Sequence, residues 1–251
     1  MLLSVIIPAF SQEKTIARDL KKIEEVLKKI RYDYEMVVVV DGKVDKTYQQ
    51  AKKIASAIIK IYQYFQNQGK GYAVQYGFSK AKGDYLAFID AGAEIDPNGL
   101  SMLLEHLEWY RADIIVGSKR HLASVVDYPL DRKILSLGYY FLVWLLFQIK
   151  IKDTQAGIKI FRRPVLEKVL PVLLVKKYAF DIEILTVAKR FGFSRIYEAP
   201  IKLKYRFTSL TSAATLKTIW YILLDTLAVF YRLNILHYYE KRRHRFRHSS
   251  H

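Results

Sequence analysis

The sequence predicts an α/β fold, with helices flanking a mostly parallel β-sheet. Short apolar runs alternate along residues 2–117 with segments of helical periodicity, and turn-forming residues separate the two kinds of segment. Helical connections of this kind are the crossovers that join neighbouring parallel strands. At 251 residues and 51% hydrophobic content, the chain can bury the core of one domain and is not a disordered polypeptide.

Five apolar runs in this part of the chain predict strands. They cover residues 2–8, 35–40, 58–65, 85–89 and 113–117. Helical patterns connect them, at residues 12–30, 46–57, 69–82 and 98–110. Pro8 closes the first strand, because a proline cannot donate to the hydrogen-bond ladder of a sheet. Further along, the patterns predict a turn and a strand at 153–163, a helix at 178–191 and a last strand at 194–200.

Acidic residues directly follow two of these strands. Asp41 ends the second strand, with Asp45 four residues later, and Asp90 ends the fourth, with Glu94 and Asp96 just beyond it. Ligands of open α/β sheets bind at the carboxyl ends of the strands, where such carboxylates could hold a divalent cation against an anionic ligand. Asp41 could instead accept from a base N–H or a ribose hydroxyl. An ordinary strand followed by an Asp-rich turn would explain the same pattern without a ligand.

The composition limits the choice of partner and of site. The net charge of +17 indicates an anionic partner, which could be a nucleic acid, a phosphate-rich small ligand or an acidic membrane surface. The chain has no cysteine, so disulfides and thiolate metal sites are excluded. It contains neither Gly-x-Gly-x-x-Gly after the first strand nor Gly-x-x-x-x-Gly-Lys-Ser/Thr, which argues against a dinucleotide enzyme and a P-loop NTPase. Because strand-like sequence begins at Leu2, we expect no signal peptide.

Two apolar stretches lie outside the alternating pattern. Residues 138–149 would form a helix of only ~18 Å, against roughly 30 Å of bilayer core, so this stretch cannot span a membrane. Its Tyr and Trp residues and its basic flanks favour a helix lying at the membrane interface, over residues 134–150, although a buried core helix would also fit.

The second stretch, residues 215–236, predicts an amphipathic helix. Thr218, Asp225 and Arg232 share one narrow helical face, and a spanning orientation would place Asp225 near the middle of a bilayer. We therefore expect this helix to lie in the interface as well. A basic segment follows, and it would favour an anionic leaflet, or else form a solvated tail that binds nucleic acid without specificity. Its cations are Lys241, Arg242, Arg243, Arg245 and Arg247.

Several motifs occur in an order and spacing that resemble a known family. They are Ser4-Val5-Ile6-Ile7-Pro8-Ala9-Phe10, Val38-Val39-Val40-Asp41-Gly42, Asn67-Gln68-Gly69-Lys70-Gly71, Ala81-Lys82-Gly83-Asp84 leading into Asp90, Gly117-Ser118-Lys119-Arg120, and Asp153-Thr154-Gln155-Ala156-Gly157-Ile158-Lys159. Together they resemble the inverting family 2 glycosyltransferases of the A-type fold, in particular the polyprenyl-phosphate (dolichyl-phosphate) glucosyl- and mannosyltransferases. The resemblance covers residues 2–206 and implies a Rossmann-like sheet that binds a nucleotide sugar.

The resemblance assigns roles to individual positions. The nucleotide-binding set would be Pro8, Ala9, Phe10, Gln12, Asp41, Gly69, Lys70, Asp90 and Ala91. Asp90 and Asp153 would be catalytic, with Asp90 and Glu94 serving Mg²⁺ or Mn²⁺. The acceptor phosphate would meet Lys119, Arg120, Gln155 and, in a predicted loop, Arg206. For each of these cations a solvated surface role is the alternative, and Asp153 could simply cap a turn.

The chain departs from the family pattern at three places. Ser11-Gln12 stands where the family often has Asn-Glu, and Val40-Asp41 replaces a pair of acidic residues. The family's Asp-x-Asp reads Asp90-Ala91-Gly92, so the second metal carboxylate is absent. Glu94 or Asp96 could substitute for it. Otherwise the ion would keep more of its waters and bind mainly through the donor's diphosphate, and metal affinity without nucleotide should be low.

The resemblance implies transfer of a hexose from a nucleotide sugar to a polyprenyl or dolichyl phosphate, with inversion. The Asp-Thr-Gln-x-Gly-x-Lys block favours UDP-glucose as donor over GDP-mannose. A phosphate monoester with a second pKa near ~6 is already ionised at neutral pH, so Asp153 would orient groups or stabilise charge and need not accept a proton.

We expect a catalytic domain over residues 1–210 and an amphipathic helix with a basic tail over 211–251, seated peripherally on the cytoplasmic face of a membrane. No specific nucleic acid is expected, and a homo-oligomer is left open. Two alternatives keep the fold: a transferase with a soluble or polysaccharide acceptor, and a non-catalytic binder of nucleotide sugars or membranes.

Overall fold

The computed structural model describes residues 1–92, 94–127, 130–204 and 216–248. Its strands are β1 (Leu2–Ala9), β2 (Asp33–Val40), β3 (Ile59–Gln63), β4 (Tyr85–Ile89), β5 (Ile114–Ser118), β6 (Val125–Asp127), β7 (Ile158–Arg162), β8 (Ile196–Pro200) and β9 (Lys202–Lys204). Its α-helices are α1 (Ile16–Leu27), α2 (Thr47–Lys52), α3 (Lys70–Lys80), α4 (Gly99–Trp109), α5 (Leu130–Phe147), α6 (Arg163–Val169), α7 (Phe180–Arg190), α8 (Leu216–Phe230) and α9 (Tyr238–His248).

The central sheet has seven strands in the order β3-β2-β1-β4-β7-β5-β8. Strand β1 pairs in parallel with β2 and β4, β2 with β3, and β5 with β8, as the helical crossovers predict. Strand β7 runs antiparallel to both β4 and β5. The prediction of a mostly parallel sheet flanked by helices is therefore confirmed, and one reversed strand lies inside it.

Two helical layers cover the sheet. Along β1 the side chains of Leu3, Val5 and Ile7 pack on the layer that contains α1 and α4, whereas Ile6 faces α3 and α7 on the other side. This alternation follows from the two-residue period of a strand. Because both faces are covered, all these residues are fully buried and the strand reads as one continuous apolar run.

A small second sheet lies beside the end of β4. It consists of β6 and β9 in parallel, and Ile95 in the loop after β4 forms a bridge with Leu203 of β9. Residues 202–204, which the sequence analysis assigned to a loop, are thus a short strand. Arg206 lies outside the described residues.

The helix α2 is shorter than the predicted segment 46–57 because a turn interrupts it. The Ser56 hydroxyl accepts a hydrogen bond from the Ile59 backbone N–H at 3.2 Å, and the Ser56 N–H donates to the Ile59 carbonyl at 3.0 Å. These two bonds fold the chain back and start β3.

Residues 216–248 are mostly helical and pack on the helices that cover the central sheet. A π-helical turn at Tyr231–Ile235 links α8 to α9. Tyr239 of α9 is fully buried, and its hydroxyl donates to the Glu183 carboxylate of α7 at 2.7 Å. The basic segment that begins at Lys241 belongs to α9 and is helical as far as His248. Among the helices of the described ranges, none is both long enough and apolar enough to cross a bilayer.

Candidate active site

Asp90 lies at the carboxyl end of β4, where Gly157 crosses very close to it. The Asp90 backbone N–H donates to the Gly157 carbonyl at 2.9 Å. A Cβ on residue 157 would fall 2.0 Å from Asp90 Oδ2, so only a glycine fits there. The other oxygen, Asp90 Oδ1, is buried and has no hydrogen-bond partner in the described part of the protein. This arrangement holds the carboxylate rigidly and leaves one acceptor available for a ligand.

Four charged side chains lie together at the end of β4, and we call them the charge cluster. They are Lys70, Asp90, Lys159 and Asp181. Lys70, the first residue of α3, places its Nζ 2.8 Å from Asp90 Oδ2 and 3.8 Å from Asp181 Oδ2. Lys159 of β7 is fully buried, and its ammonium donates to Asp181 Oδ1 at 2.5 Å and to the Ala156 carbonyl at 2.7 Å. Burial works to lower the pKa of Lys70, but the carboxylates of Asp90 and Asp181 outweigh it and the pKa is raised.

Asp41 shapes the loop that leads into α3. Its two carboxylate oxygens accept hydrogen bonds from the hydroxyl of Tyr64, the side-chain amide of Asn67 and the backbone N–H groups of Gln68 and Gly69, at distances of 2.8–3.1 Å. The four donors match the lone-pair capacity of a carboxylate. Asp41 therefore fixes the residues that were expected to surround a nucleotide, and its own predicted contact with the nucleotide stays a prediction.

Gln12 joins the ends of β1 and β4. Its side-chain amide donates to the Ala91 carbonyl at 2.8 Å, and its Oε1 is a second buried acceptor without a partner among the described residues. The Ala91 N–H points back to the Pro8 carbonyl at 3.4 Å. Phe10 follows β1 and is 49% exposed. The predicted nucleotide-binding residues of these two strands are thus brought to one place.

Asp153 and Lys119 form a buried ion pair at the end of β5. The Lys119 ammonium lies 2.8 Å from Asp153 Oδ2, and the Lys119 backbone N–H donates to the same oxygen at 2.9 Å. Arg120 turns away from this pair, donates to the hydroxyl of Ser136 on α5 at 3.0 Å, and stacks over the Tyr140 ring. Two of the cations predicted for an acceptor phosphate thus have protein partners.

Helices α5 and α8 are joined at Tyr139. The Tyr139 hydroxyl is hydrogen-bonded to Thr226 of α8 at 3.0 Å and also interacts with the side chain of Gln155. Burial raises the pKa of Tyr139, and the nearby charges of Asp181 and Asp225 act in the same direction. Gln155, which was predicted to be near the acceptor phosphate, therefore lies where both helices reach the strand ends.

The opposite side of each of these two helices exposes a row of large apolar side chains, and we call the two rows together the apolar face. Each member is 45–71% exposed. On α5 and α8 their spacing of three or four residues places them along one side of each helix. The apolar face comprises Ile134, Leu137, Phe141 and Leu145 on α5, Trp220, Leu224 and Leu227 on α8, and Tyr231 at the start of the π-helical turn that follows α8.

At the described strand ends, Asp90 Oδ1 is the carboxylate oxygen that is left without a partner for a metal ion. No group of three His, Asp or Glu side chains in the described ranges could hold a metal. Asp96 is used otherwise, because its Oδ1 accepts from the backbone and side-chain amides of Asn98. Asp90 Oδ1 fits a single coordination position, and a Mg²⁺ or Mn²⁺ ion bound there would take its remaining ligands from a diphosphate and water. Whether Glu94 contributes stays a prediction.

The sequence analysis named neither Lys159 nor Asp181 as site residues. A lysine within the apolar strand Ile158–Arg162 was the available signal, because a buried lysine needs an anionic partner. The partner comes from α7, 22 residues further along, and periodicity does not reveal it.

Comparisons with known proteins give a consistent assignment. Residues 4–170 match the family described as Glycosyl transferase family 2. The chain is 34% identical over 203 residues to a dolichyl-phosphate beta-glucosyltransferase of Drosophila melanogaster, covering 74% of this chain and 62% of that protein. It is 32% identical to the Saccharomyces cerevisiae protein of the same name over 222 residues, which is 80% of this chain and 66% of that protein. The chain thus spans less than two thirds of these relatives.

Solved structures share the fold at lower identity. A mannosyl-3-phosphoglycerate synthase from Rubrobacter xylanophilus superposes with a TM-score of 0.71 at 17% identity, covering 93% of this chain and 74% of that one. A glucosyl-3-phosphoglycerate synthase from Mycobacterium tuberculosis, in complex with Mn²⁺, uridine diphosphate and phosphoglyceric acid, gives 0.67 at 17% identity, covering 91% and 77%. At this identity the likeness establishes the architecture alone.

Proposed function

The chain belongs to glycosyl transferase family 2 and has its A-type fold, and from this premise we propose that it transfers glucose from UDP-glucose to a polyprenyl or dolichyl phosphate. The dolichyl-phosphate beta-glucosyltransferases to which it is 30–34% identical support glucose and a lipid phosphate as the transferred sugar and the acceptor. GDP-mannose is the competing donor that the family resemblance leaves open. The reaction would invert the anomeric carbon and take place at the cytoplasmic face of a membrane.

The observation that carries the proposal is the position of the apolar face relative to the strand ends. Helices α5 and α8 expose Phe141 and Leu224 on one side, while on the other side Tyr139 reaches Thr226 and Gln155. The apolar face is therefore separated from the contacts of Tyr139 with Thr226 and Gln155 by the width of a helix, about 10 Å. An acceptor with an apolar chain and a phosphate head fits such an arrangement.

On the donor side, the ends of β1, β2 and β4 would hold the nucleotide. Lys70 opens α3, so its ammonium and the positive end of the helix both favour the diphosphate. Asp90 would hold the metal through Oδ1, and the bound ion would stabilise the negative charge that develops on the leaving diphosphate. Phe10 is exposed beside these groups and offers a flat apolar surface to a base.

On the acceptor side, the nucleophile is already charged. With a second pKa near ~6, a phosphate monoester carries its second charge at neutral pH and attacks without losing a proton to the protein. A phosphate oxygen forms the new bond to the anomeric carbon as the bond from that carbon to the diphosphate breaks. Asp153 has its carboxylate committed to Lys119, so its role is to position that cation beside the acceptor.

The direct test supplies the protein with Mg²⁺ or Mn²⁺, a panel of labelled nucleotide sugars and vesicles that contain a polyprenyl phosphate. We expect label from UDP-glucose to enter the organic phase, and Asp90→Asn to reduce the rate by at least about a hundredfold. Equal transfer to a water-soluble acceptor without vesicles would replace the lipid acceptor by a soluble one. Nucleotide binding without transfer from any donor would contradict catalysis.

A further inference from the structure

Lys70 is shared between two carboxylates of very different exposure, since the side chain of Asp90 is 40% exposed and that of Asp181 is largely buried. Its ammonium lies 2.8 Å from Asp90 and 3.8 Å from Asp181, and its side chain is 29% exposed. Asp181 is only 6% exposed and is held by the fully buried Lys159. Asp90 is fixed by its backbone bond to Gly157 and by the close approach of that residue. Of these groups, the flexible four-carbon stem of Lys70 is the one that can move.

We propose that Lys70 is an exchangeable counter-ion of the metal carboxylate. In the nucleotide-free protein it neutralises Asp90. When a nucleoside diphosphate and a metal ion bind, it moves to a diphosphate oxygen while Asp181 retains it at the site. This inference rests on the proposed function for the identity of the diphosphate, but its first half concerns only Asp90, Lys70 and a divalent ion.

The charges of the charge cluster explain why an exchange is needed. Two lysines and two aspartates balance each other in the nucleotide-free protein. A divalent ion on Asp90 would lie within a few ångströms of the Lys70 ammonium, and like charges at that distance repel strongly in a partly buried site. The negative diphosphate removes this repulsion because it attracts both cations. Metal and nucleotide should therefore bind cooperatively.

Asp181 and Lys159 act as positioning residues in this scheme. Lys159 donates to Asp181 Oδ1 and to the Ala156 carbonyl, so Asp181 cannot follow Lys70 outward. Its second oxygen, Oδ2, stays directed at Lys70. The Asp181–Lys159 pair thus keeps the Lys70 ammonium near the diphosphate after Asp90 has released it. Asp90 is then free to bind the divalent ion as its one carboxylate ligand.

Mn²⁺ binding without nucleotide tests the first half, measured by electron paramagnetic resonance on the full chain. Lys70→Met should bind Mn²⁺ about tenfold more tightly than the wild type, because Asp90 loses its competing cation. Lys70→Arg keeps the charge and should stay within about twofold of the wild type. Lys80→Met is the matched control, since it removes the same charge from the exposed far end of α3, roughly 15 Å along the helix, and should change nothing.

A double variant identifies the ligand. Adding Asp90→Asn to Lys70→Met should abolish the gain in Mn²⁺ affinity. The proposal is overturned if Lys70→Met binds Mn²⁺ no more tightly than the wild type, if Lys70→Arg behaves like Lys70→Met, or if the gain survives the loss of the Asp90 charge. Circular dichroism verifies that each variant is folded, and Lys70→Gln, which also removes the charge and should show the same gain in Mn²⁺ affinity, decides the question if Lys70→Met fails to fold.

Titration with UDP in the presence of Mn²⁺ tests the second half. Lys70→Met should weaken UDP binding about tenfold, because one charge-assisted contact to the diphosphate is lost, and Asp181→Asn should weaken it by a smaller factor. Unchanged UDP affinity in Lys70→Met would overturn the transfer of Lys70 to the diphosphate. If UDP binds to no form of the protein, the proposed donor is wrong, while the nucleotide-free Mn²⁺ result still decides whether Lys70 competes for Asp90.

Discussion

Asp153 and Lys119 neutralise each other in a buried ion pair, in which the Lys119 ammonium lies 2.8 Å from one carboxylate oxygen and 3.1 Å from the other. The backbone N–H groups of Lys119 and Asp153 reinforce the arrangement, since the first donates to Asp153 and the second donates to Glu198. A carboxylate with these partners is fixed in place, because both of its oxygens accept from Lys119. It is therefore suited to hold that cation in position.

The first prediction follows from this pair. Asp153→Asn should raise the KM for the polyprenyl phosphate by about tenfold, because Lys119 loses its anchor, while the shape of the pH–rate profile stays that of the wild type. Initial rates between pH 5.5 and 8 provide the measurement. If Asp153 were an obligate base, kcat would instead fall by several orders of magnitude and the acidic limb of the profile would disappear.

The second prediction concerns the apolar face. The double substitution of Phe141→Ser and Leu224→Ser should lower binding to vesicles at least about tenfold, because two large side chains no longer enter the lipid. Both side chains are exposed, so the melting temperature should hardly change. Vesicle flotation gives the partition, and Trp109→Ser, an equally drastic change at a residue 85% exposed on α4, is the control. Equal flotation of all three proteins would remove the apolar face from membrane binding.

The third prediction uses two glycines with opposite surroundings. Gly157→Ala should abolish Mn²⁺-dependent UDP binding, because its Cβ would displace the Asp90 carboxylate. Gly138→Ala places a Cβ where no atom lies within 4 Å and should leave binding intact while stabilising α5 by about 0.5–1 kcal/mol. Calorimetric titration with UDP compares the two. Normal UDP binding by Gly157→Ala would show that Asp90 is not part of the donor site.

The fourth prediction concerns the buried Glu183. Burial raises the pKa of this carboxyl, while hydrogen bonds from Tyr239 and from the backbone of Val175 and Leu174 act to lower it. Tyr239→Phe should cost about 1–3 kcal/mol of unfolding free energy, because a buried acceptor loses a hydrogen-bond donor.

The pH dependence of that loss follows from linkage. Where the folded pKa lies above the unfolded value, the native state binds more protons, so stability falls as the pH rises between the two values. Tyr239→Phe raises the pKa of Glu183 in the folded protein further. It should therefore lower the free energy of unfolding more at pH 8 than at pH 5. Urea unfolding at both pH values provides the measurement, and a cost independent of pH would mean that Glu183 does not change its ionisation in this range.

The sequence predicts the parallel strands β1 to β4 well, because each of them is followed by a helix that fixes its direction. The run at residues 85–89 was predicted with the bounds of β4. The reversal of β7 was not predictable, since an apolar run reads the same in either direction and its pairing with β4 depends on contacts some 70 residues apart. Strands β6 and β9, with three residues each, are too short to give a pattern.

The residues of the candidate site also fall into a predictable and an unpredictable group. Asp90 could be predicted because it directly follows a strand, where the local pattern itself identifies the strand end, whereas Lys70 and Gln12 were assigned through the family resemblance. Their electrostatic partners could not. Lys159 and Asp181 belong to other elements, and the commitment of Lys119 to Asp153 depends on tertiary structure. A charged residue in the sequence signals that a partner exists without identifying it.

The buried bond between Tyr239 and Glu183 has a consequence for how the chain folds as it is synthesised. The two residues are separated by 56 positions, and every strand of the central sheet precedes Tyr239. A nascent chain can therefore assemble its central sheet before Tyr239 is available to donate its hydrogen bond to Glu183 of α7. The helix that carries Asp181 reaches its final environment only when the ribosome has delivered α9, so the site matures after the scaffold that supports it.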